Sequence, residues 1–351
     1  MRVKEPRRRT LQDVADAAGL SKSATSYALR GLRGSTETQA RVLRVAAELG
    51  YTVDPVARAL AGGRSSNVVI VGTLRDLWQQ DLAVMLSRAL GRLALNASIA
   101  DVDASPTREE AVLAALNSRQ VDGVVVLPVD PSAEYWADVP DEIRVVSIGD
   151  ALAHRPDSPV VLFDNASGVG TGLRHLAGLG HRTVGVLAPA LPATPGRPAE
   201  MLATSLGSEL GLDVTVTATP AAVGEAADAT ERLLRSTSRP TALLCLSDSI
   251  AFGAYAAARR VGLEVPRELS VLGYDDSAMA PLVEPQLSTF AWDEAAIVDA
   301  AVDALHTPGD ELDGGARRQT FRPVFMPRGS TAAPGAPAAR GSTAAPGSPA
   351  G

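Results

Sequence analysis

The residues of this chain best suited to covalent chemistry are few and stand apart. Its single cysteine, Cys245, lies in the apolar run Ala242-Leu243-Leu244-Cys245-Leu246. It reads as a small buried hydrophobe and allows no internal disulfide and no cysteine-rich zinc site. His175 and His181 lack the i,i+4 spacing that sets two imidazoles on one helix face for a metal. Gly168-Val169-Gly170-Thr171-Gly172 is rich enough in glycine to approach a phosphate, but its spacing is not GxGxxG, and no Walker A motif occurs. No nucleophile, base and orienting group gather in one motif, so neither an enzyme, a cofactor nor a metal is expected.

Charge points elsewhere. The 351 residues carry a net charge of -7, yet residues 1–64 hold 12 Lys and Arg against 6 Asp and Glu, leaving -13 on the remainder. A basic segment on an acidic body suits nucleic-acid contact by the small part, or else a solvated Arg-rich tail. No apolar run approaches the ~18–20 residues of a membrane helix. The basic start through Arg7-Arg8-Arg9 is followed by polar Thr10-Leu11-Gln12-Asp13 rather than an apolar core, so export is not expected.

The elements that would position such a basic part are short helices. Thr10-Leu11-Gln12-Asp13 has the form of a capping box, and Leu11, Val14, Ala15 and Ala18 share one helical face. Gly19 ends that helix, and Ser21 caps a second through Ala24, Thr25, Ala28 and Leu29, which makes a helix-turn-helix. A third helix, capped by Ser35 or Thr36 and closed by Gly50, completes a small core. Asp54–Arg64, with Pro55 at a first helical position and Gly62-Gly63 at its end, is under two turns long and should order only when something packs on it.

From Asn67 the pattern becomes βα alternation. Strands are expected at Val68–Val71, Ser98–Val102, Val121–Leu127, Val145–Ile148, Val160–Phe163, Val184–Leu187, Val214–Thr217, Ala242–Leu246 and Ser270–Leu272. Between them lie helical stretches such as Leu82–Leu95, Gly168–Gly178, Ile250–Val261 and Glu294–Leu305. So many strands suit two doubly wound α/β lobes better than one parallel sheet. Residues 329–351 repeat Gly-Ser-Thr-Ala-Ala-Pro-Gly and lack large apolar side chains, so disorder is expected there.

Residues 10–64, with Asp13-Val14-Ala15, Ala18-Gly19-Leu20-Ser21, Leu49-Gly50-Tyr51 and Val56-Ala57-Arg58-Ala59-Leu60, resemble the headpiece and hinge of LacI/GalR-type bacterial transcription regulators. The body agrees in order, from Val121-Asp122-Gly123-Val124 through Leu179-Gly180-His181-Arg182, Ser247-Asp248 and Gly273-Tyr274-Asp275-Asp276 to Pro285-Gln286-Leu287-Ser288-Thr289. The resemblance implies a helix-turn-helix headpiece at 1–53, a hinge helix and linker at 54–66, and an effector-binding and dimerisation core at 67–328. The core would be of the periplasmic-binding-protein-like type I class. Its N-subdomain would take about 67–162 and 291–319, and its C-subdomain about 163–290 and 320–328.

The family further implies a cytoplasmic, nucleoid-associated homodimer, most often a repressor, on a near-palindromic double-stranded DNA operator. Lys22, Ser23 and Tyr27 match its base-reading positions, Ser21, Ser26, Arg30 and the Arg7–Arg9 run suit phosphates, and Thr10 counts among the DNA-binding residues. Ala57 and Leu60 fall in the hinge, where Leu60 matches a leucine that wedges open a minor-groove base step. The tail has no leucine heptads for a tetramerising bundle.

A small-molecule effector, with a sugar as the leading class, would sit between the lobes beyond the strand ends. The candidates are Thr73, Asp76, Trp78, Pro128, Phe163, Arg197, Asp248, Asp275 and Trp292. Carboxylates and an arginine grip adjacent hydroxyls, and indole faces stack on a sugar ring. The family pattern is departed from at Arg75-Asp76-Leu77-Trp78, at Glu200-Met201, at Ser247 in place of asparagine, and at Trp292 where glutamine is common. A regulator of this fold that has lost its effector, and a sugar-binding protein without a regulatory role, are the alternatives.

Overall fold

The computed structural model describes residues 10–29, 35–49, 66–116, 121–190, 198–307 and 317–335. The chain divides into two compact units, 1–65 and 66–351, each treated separately.

The first unit contains α1 (Leu11–Ala18), α2 (Lys22–Leu29) and α3 (Thr36–Glu48). Thr10 and Asp13 form the expected capping box: the Asp13 N–H donates to the Thr10 hydroxyl at 3.3 Å, and the Thr10 N–H donates to the Asp13 carboxylate at 2.7 Å. Gly19 ends α1 at φ 67°, a left-handed conformation that glycine adopts without steric cost. Of the two caps open for α3, Ser35 is the one used, accepting from the Thr38 N–H. Val14, Ala18, Ala28, Val42 and Ala46 meet in a core flanked by Leu20, Leu29, Val45 and Leu49. With so few large side chains inside, capping matters. Thr10→Ala is expected to cost about 1 kcal/mol of headpiece stability, read as faster amide exchange in α1 and α2 of the full chain.

The second unit carries two parallel sheets. The first, in the order β11-β5-β4-β3-β1-β2, joins β1 (Asn67–Gly72), β2 (Asn96–Asp101), β3 (Gly123–Val126), β4 (Arg144–Gly149), β5 (Val160–Phe163) and β11 (Arg318–Phe321). The second, in the order β7-β6-β8-β9, joins β6 (Thr183–Pro189), β7 (Asp213–Thr219), β8 (Ala242–Cys245) and β9 (Ser270–Leu272). β10 (Thr289–Ala291) and β12 (Val324–Met326) form a separate antiparallel pair.

The central strands are buried on both faces because helices cover both, which is why they read as unbroken Val/Ile/Leu runs. α4 (Leu77–Arg92) and α10 (Glu294–His306) pack on one face of the first sheet, and α5 (Pro106–Leu116) with the short turn Glu134–Asp138 on the other. The second sheet lies between α6 (Asn165–Gly178) with α7 (Pro198–Glu209) and α8 (Val223–Leu234) with α9 (Asp248–Val261). The chain passes from the first sheet to the second after β5, and its last turns run from the β10–β12 pair through α10 and β11 of the first sheet and back to β12.

All nine strands expected from sequence occur, while β10, β11 and β12 were not anticipated. β11, Arg-Gln-Thr-Phe, lies on the sheet edge with half its residues exposed, so no apolar run marks it.

The expectation of disorder from residue 329 onward is corrected for 329–335. Ser330 is fully buried; its hydroxyl donates to the Val271 carbonyl at 2.6 Å and accepts from the Ser288 N–H at 2.7 Å. The Ala332 N–H donates to the Ser270 hydroxyl at 3.0 Å. Composition misled because hydrogen bonds, not apolar burial, fasten this segment to β9. Residues 336–351 lie outside the described residues, as does the hinge at 54–64.

Candidate functional site

In the headpiece, Gly19, Leu20 and Ser21 separate α1 from α2, and the Ser21 hydroxyl accepts from the Ala24 N–H at 3.1 Å, capping α2 as expected. Thr25 and Ala28 face the core and Lys22 is exposed. Thr10 is engaged by its capping box. Ser23, Ser26 and Tyr27 lie on α2 with side chains outside the described set, and Arg30, Ala57 and Leu60 lie outside the described residues altogether.

Within the second unit, a cleft of about 350 Å³ opens where the carboxyl ends of the two sheets face each other, the position expected of a ligand site in doubly wound sheets. Thr73 and Asp76 follow β1, Asp103 and Ala104 follow β2, and Pro128 and Val129 follow β3. Pro189 ends β6, Pro220 follows β7, Leu246 and Ser247 follow β8, and Asp275 follows β9. Five of the expected residues, Thr73, Asp76, Trp78, Pro128 and Asp275, line it together.

Phe163 and Trp292 stand behind the wall. Trp78 meets Phe163 edge-on at 5.4 Å, Phe163 packs on Trp292 at 4.7 Å, and Trp292 lies 5.7 Å from Tyr274. Trp292 also donates its indole N–H to Asp275 at 3.3 Å. Asp248 is drawn into a different role and is absent from the lining. Its buried carboxyl accepts from the Ser277 N–H at 2.8 Å and the Thr289 hydroxyl at 2.6 Å, tying α9 to the loop after β9 and to β10. Arg197 lies outside the described residues.

Of the lining residues outside the expected set, Arg75, Asp103, Glu225 and Ser247 carry the contacts within and across the cleft. Asp103 lies just beyond a strand end and was open to the strand-end rule. Glu225, in the first turn of α8, carried no local signal. Arg75 pairs with Asp103 at 2.6 Å on its own lobe and with Glu225 at 2.9 Å on the other. Two further bonds cross the cleft: the Ser247 hydroxyl donates to Asp76 at 2.9 Å, and the Leu77 N–H donates to Ser249 at 3.0 Å.

Burial raises the pKa of Asp76 despite the hydrogen bonds it accepts from Gln79 and Ser247. Asp275 is pushed well above the usual carboxylate range, first by burial and then by the charges of Asp76 and Asp248. Burial lifts Asp248 to about 7. Asp275 is also held at φ 115°, a strained backbone that persists only where the surroundings over-determine it. Together these features make a half-open cleft, partly apolar and set with carboxylates, suited to a small molecule held by both lobes. Among the described residues, no group of three His, Cys, Asp or Glu is placed to hold a metal ion, and no helix is long and apolar enough to cross a membrane.

Known proteins resemble this chain along nearly its whole length. Residues 10–54 match the profile of bacterial regulatory proteins of the lacI family, and residues 173–331 that of a periplasmic binding protein-like domain. An uncharacterised HTH-type transcriptional regulator from the aml 5′ region of Streptomyces limosus is 30% identical over 338 residues, covering 92% of this chain and 94% of the relative. The ribose operon repressor of Haemophilus influenzae is 28% identical, covering 84% and 90%. The lac repressor dimer bound to operator and the anti-inducer ONPF shares the fold, with a TM-score of 0.78 at 22% identity over 93% of this chain and 100% of that one. With the headpiece profile and a relative matched from end to end, the chain belongs to the lacI family of bacterial regulatory proteins.

Proposed function

We propose that this protein is a sequence-specific DNA-binding transcriptional repressor that binds a near-palindromic operator as a homodimer, and whose operator affinity is tuned by a sugar in the interlobe cleft. The observation that carries this reading is the union, in one chain, of a capped three-helix headpiece with a polar cleft built from two lobes. The Haemophilus influenzae relative is by name a ribose operon repressor, and the lac repressor dimer was seen on its operator. A regulator of this family works without a catalytic step, in the cytoplasm and on the nucleoid.

In this reading Lys22, Ser23 and Tyr27 read base edges from α2, Ser21, Ser26, Arg30 and the Arg7–Arg9 run contact phosphates, and Thr10 lies at the same DNA-facing end. The headpiece takes 1–53 and the hinge 54–66. Ala57 and Leu60 meet the minor groove, and Leu60→Ala weakens operator binding about tenfold or more while sparing nonspecific binding. A gel-shift titration with operator and with random DNA checks this; unchanged operator affinity removes the wedge. The departures at Ser247 and Trp292 favour a second reading, a regulator of this fold that has lost its effector.

Selection from a random DNA library by the purified full chain, with and without a pool of sugars and nucleosides, tests both. One palindrome whose enrichment the pool abolishes supports the repressor with an effector. A palindrome indifferent to the pool favours the second reading, and no enriched motif overturns the DNA-binding assignment.

A further inference from the structure

A sequence motif that the DNA-binding reading leaves unused is the duplicated segment near the end of the chain. The repeat is longer than its Gly-Ser-Thr-Ala-Ala-Pro-Gly core: Arg328-Gly329-Ser330-Thr331-Ala332-Ala333-Pro334-Gly335 recurs without change twelve residues on, as Arg340–Gly347. The first copy straps the outer side of β9, the last strand in its sheet. The Val271 N–H donates to the Ser330 carbonyl at 2.9 Å, and the Ser330 hydroxyl donates to the Val271 carbonyl. Covering such an edge removes backbone groups with which another chain could pair.

The groove reads this segment position by position. The mostly buried Arg328 guanidinium donates to the Leu287 carbonyl at 2.8 Å and to Asp276 at 2.5 Å, next in sequence to the Asp275 that lines the cleft. Ser330 is fully buried and its hydroxyl also accepts from the Ser288 N–H. The Thr331 hydroxyl lies 3.0 Å from the His175 ring nitrogen, and the Ala332 carbonyl accepts from the Ser270 hydroxyl at 3.0 Å. Gly335 closes the segment at φ 74°, a conformation that favours glycine. Arg340, Ser342, Thr343, Ala344 and Gly347 carry the same groups in the same order and spacing.

We propose that Arg340–Gly347 is an interchangeable second strap for this groove in its own chain. It takes the place of the first copy when that copy detaches, and so keeps the β9 edge and the Asp276 turn fastened. Twelve residues then leave the surface as a loop whose ends meet where Pro327 joins Arg328. Surface loops of about 6–16 residues with adjoining ends are an ordinary structural form, and the cost of closing one grows only slowly with length. That cost places the first copy ahead while both are intact. The short tether gives the second copy a high effective concentration at its own groove, which favours that groove over the one on another molecule.

The test uses the full chain and follows amide exchange at Val271 and Ser288, whose N–H groups the strap accepts. Arg328→Glu with Ser330→Ala disables the first copy, and Arg340→Glu with Ser342→Ala the second. Disabling the second copy alone is expected to leave both amides as protected as in the parent chain. Disabling both accelerates their exchange about tenfold or more beyond disabling the first alone. A milder cycle with Ser330→Ala and Ser342→Ala makes the same comparison without reversing a charge. Equal exchange with the first copy disabled and with both disabled overturns the proposal.

A cross-link reads the register directly. With the first copy disabled, His175→Cys and Thr343→Cys are expected to join in a disulfide within one chain, because Thr343 then stands where Thr331 meets His175. With the first copy intact the same pair joins about tenfold less or more slowly still. Absence of the disulfide in the first background overturns the second strap, and a disulfide between chains that grows with concentration overturns its assignment to the same molecule.

Discussion

Gly253→Ala unfolds the core at markedly lower denaturant, with an expected loss of about 3 kcal/mol. Gly253 sits in α9 where that helix crosses α8. A Cβ there would lie 2.6 Å from the Ala226 Cβ, 2.8 Å from the Ala227 nitrogen and 2.9 Å from the Val223 carbonyl oxygen. Backbone atoms and an alanine methyl cannot rotate away, so the helices must part. The neighbouring Gly224 makes the control, because a Cβ there meets nothing within 4 Å. Gly224→Ala is expected to be neutral or to stabilise α8 by about 0.5 kcal/mol through chain entropy alone. Urea titration of both variants separates the outcomes, and equal midpoints would show that the α8–α9 contact is not tight. The effect also reaches function, because Ala221, Ala222 and Glu225 at the start of α8 form one wall of the cleft.

Asp248→Ala is expected to cost about 3 kcal/mol, while Asp248→Asn costs far less and flattens the pH dependence of stability. The alanine variant leaves the buried Ser277 N–H and Thr289 hydroxyl without their acceptor, and each such group costs about 1–3 kcal/mol. Space for the carboxylate exists only because residue 273 is glycine, where a Cβ would lie 2.2 Å from an Asp248 oxygen.

The pH behaviour follows from burial, which moves the Asp248 carboxyl from 3.8 to about 7 in the folded state. The folded chain therefore holds a proton that the unfolded chain releases in between. Its contribution is full below about pH 4 and is lost as pH rises to about 7. Asp76, Glu109, Asp275 and Glu294 are raised as well and act in the same sense. His175 and His181, held neutral by burial, oppose it below about pH 6.5. Comparing Asp248→Asn with the parent chain from pH 4 to 8 cancels the contributions the two chains share, while Asp275, which feels the charge of Asp248, shifts with it. An unchanged slope would refute the assignment.

Much of this molecule is legible in its residues because the determinants are local. The Thr10–Asp13 capping box, the Gly19 stop and the Ser21 cap specify α1 and α2 within a dozen residues. Continuous apolar runs mark the buried strands, since a strand covered on both faces has no polar side. Strand ends and the loops that match the family likewise point to Thr73, Asp76, Trp78, Pro128 and Asp275, which line the cleft.

What only the tertiary structure decided depends on partners distant in sequence. Asp76 and Asp248 look alike as candidates, each an acid near a strand end, yet one faces the cleft and the other is taken by Ser277 and Thr289. Glu225 enters the site because Arg75, 150 residues away, reaches it across the lobes. Ser330 is ordered by hydrogen bonds to Val271 and Ser288 that its own low-complexity surroundings do not foreshadow. Periodicity and capping are written into neighbouring residues, whereas the pairing of a polar group is settled by which donor or acceptor the fold brings within about 3 Å of it.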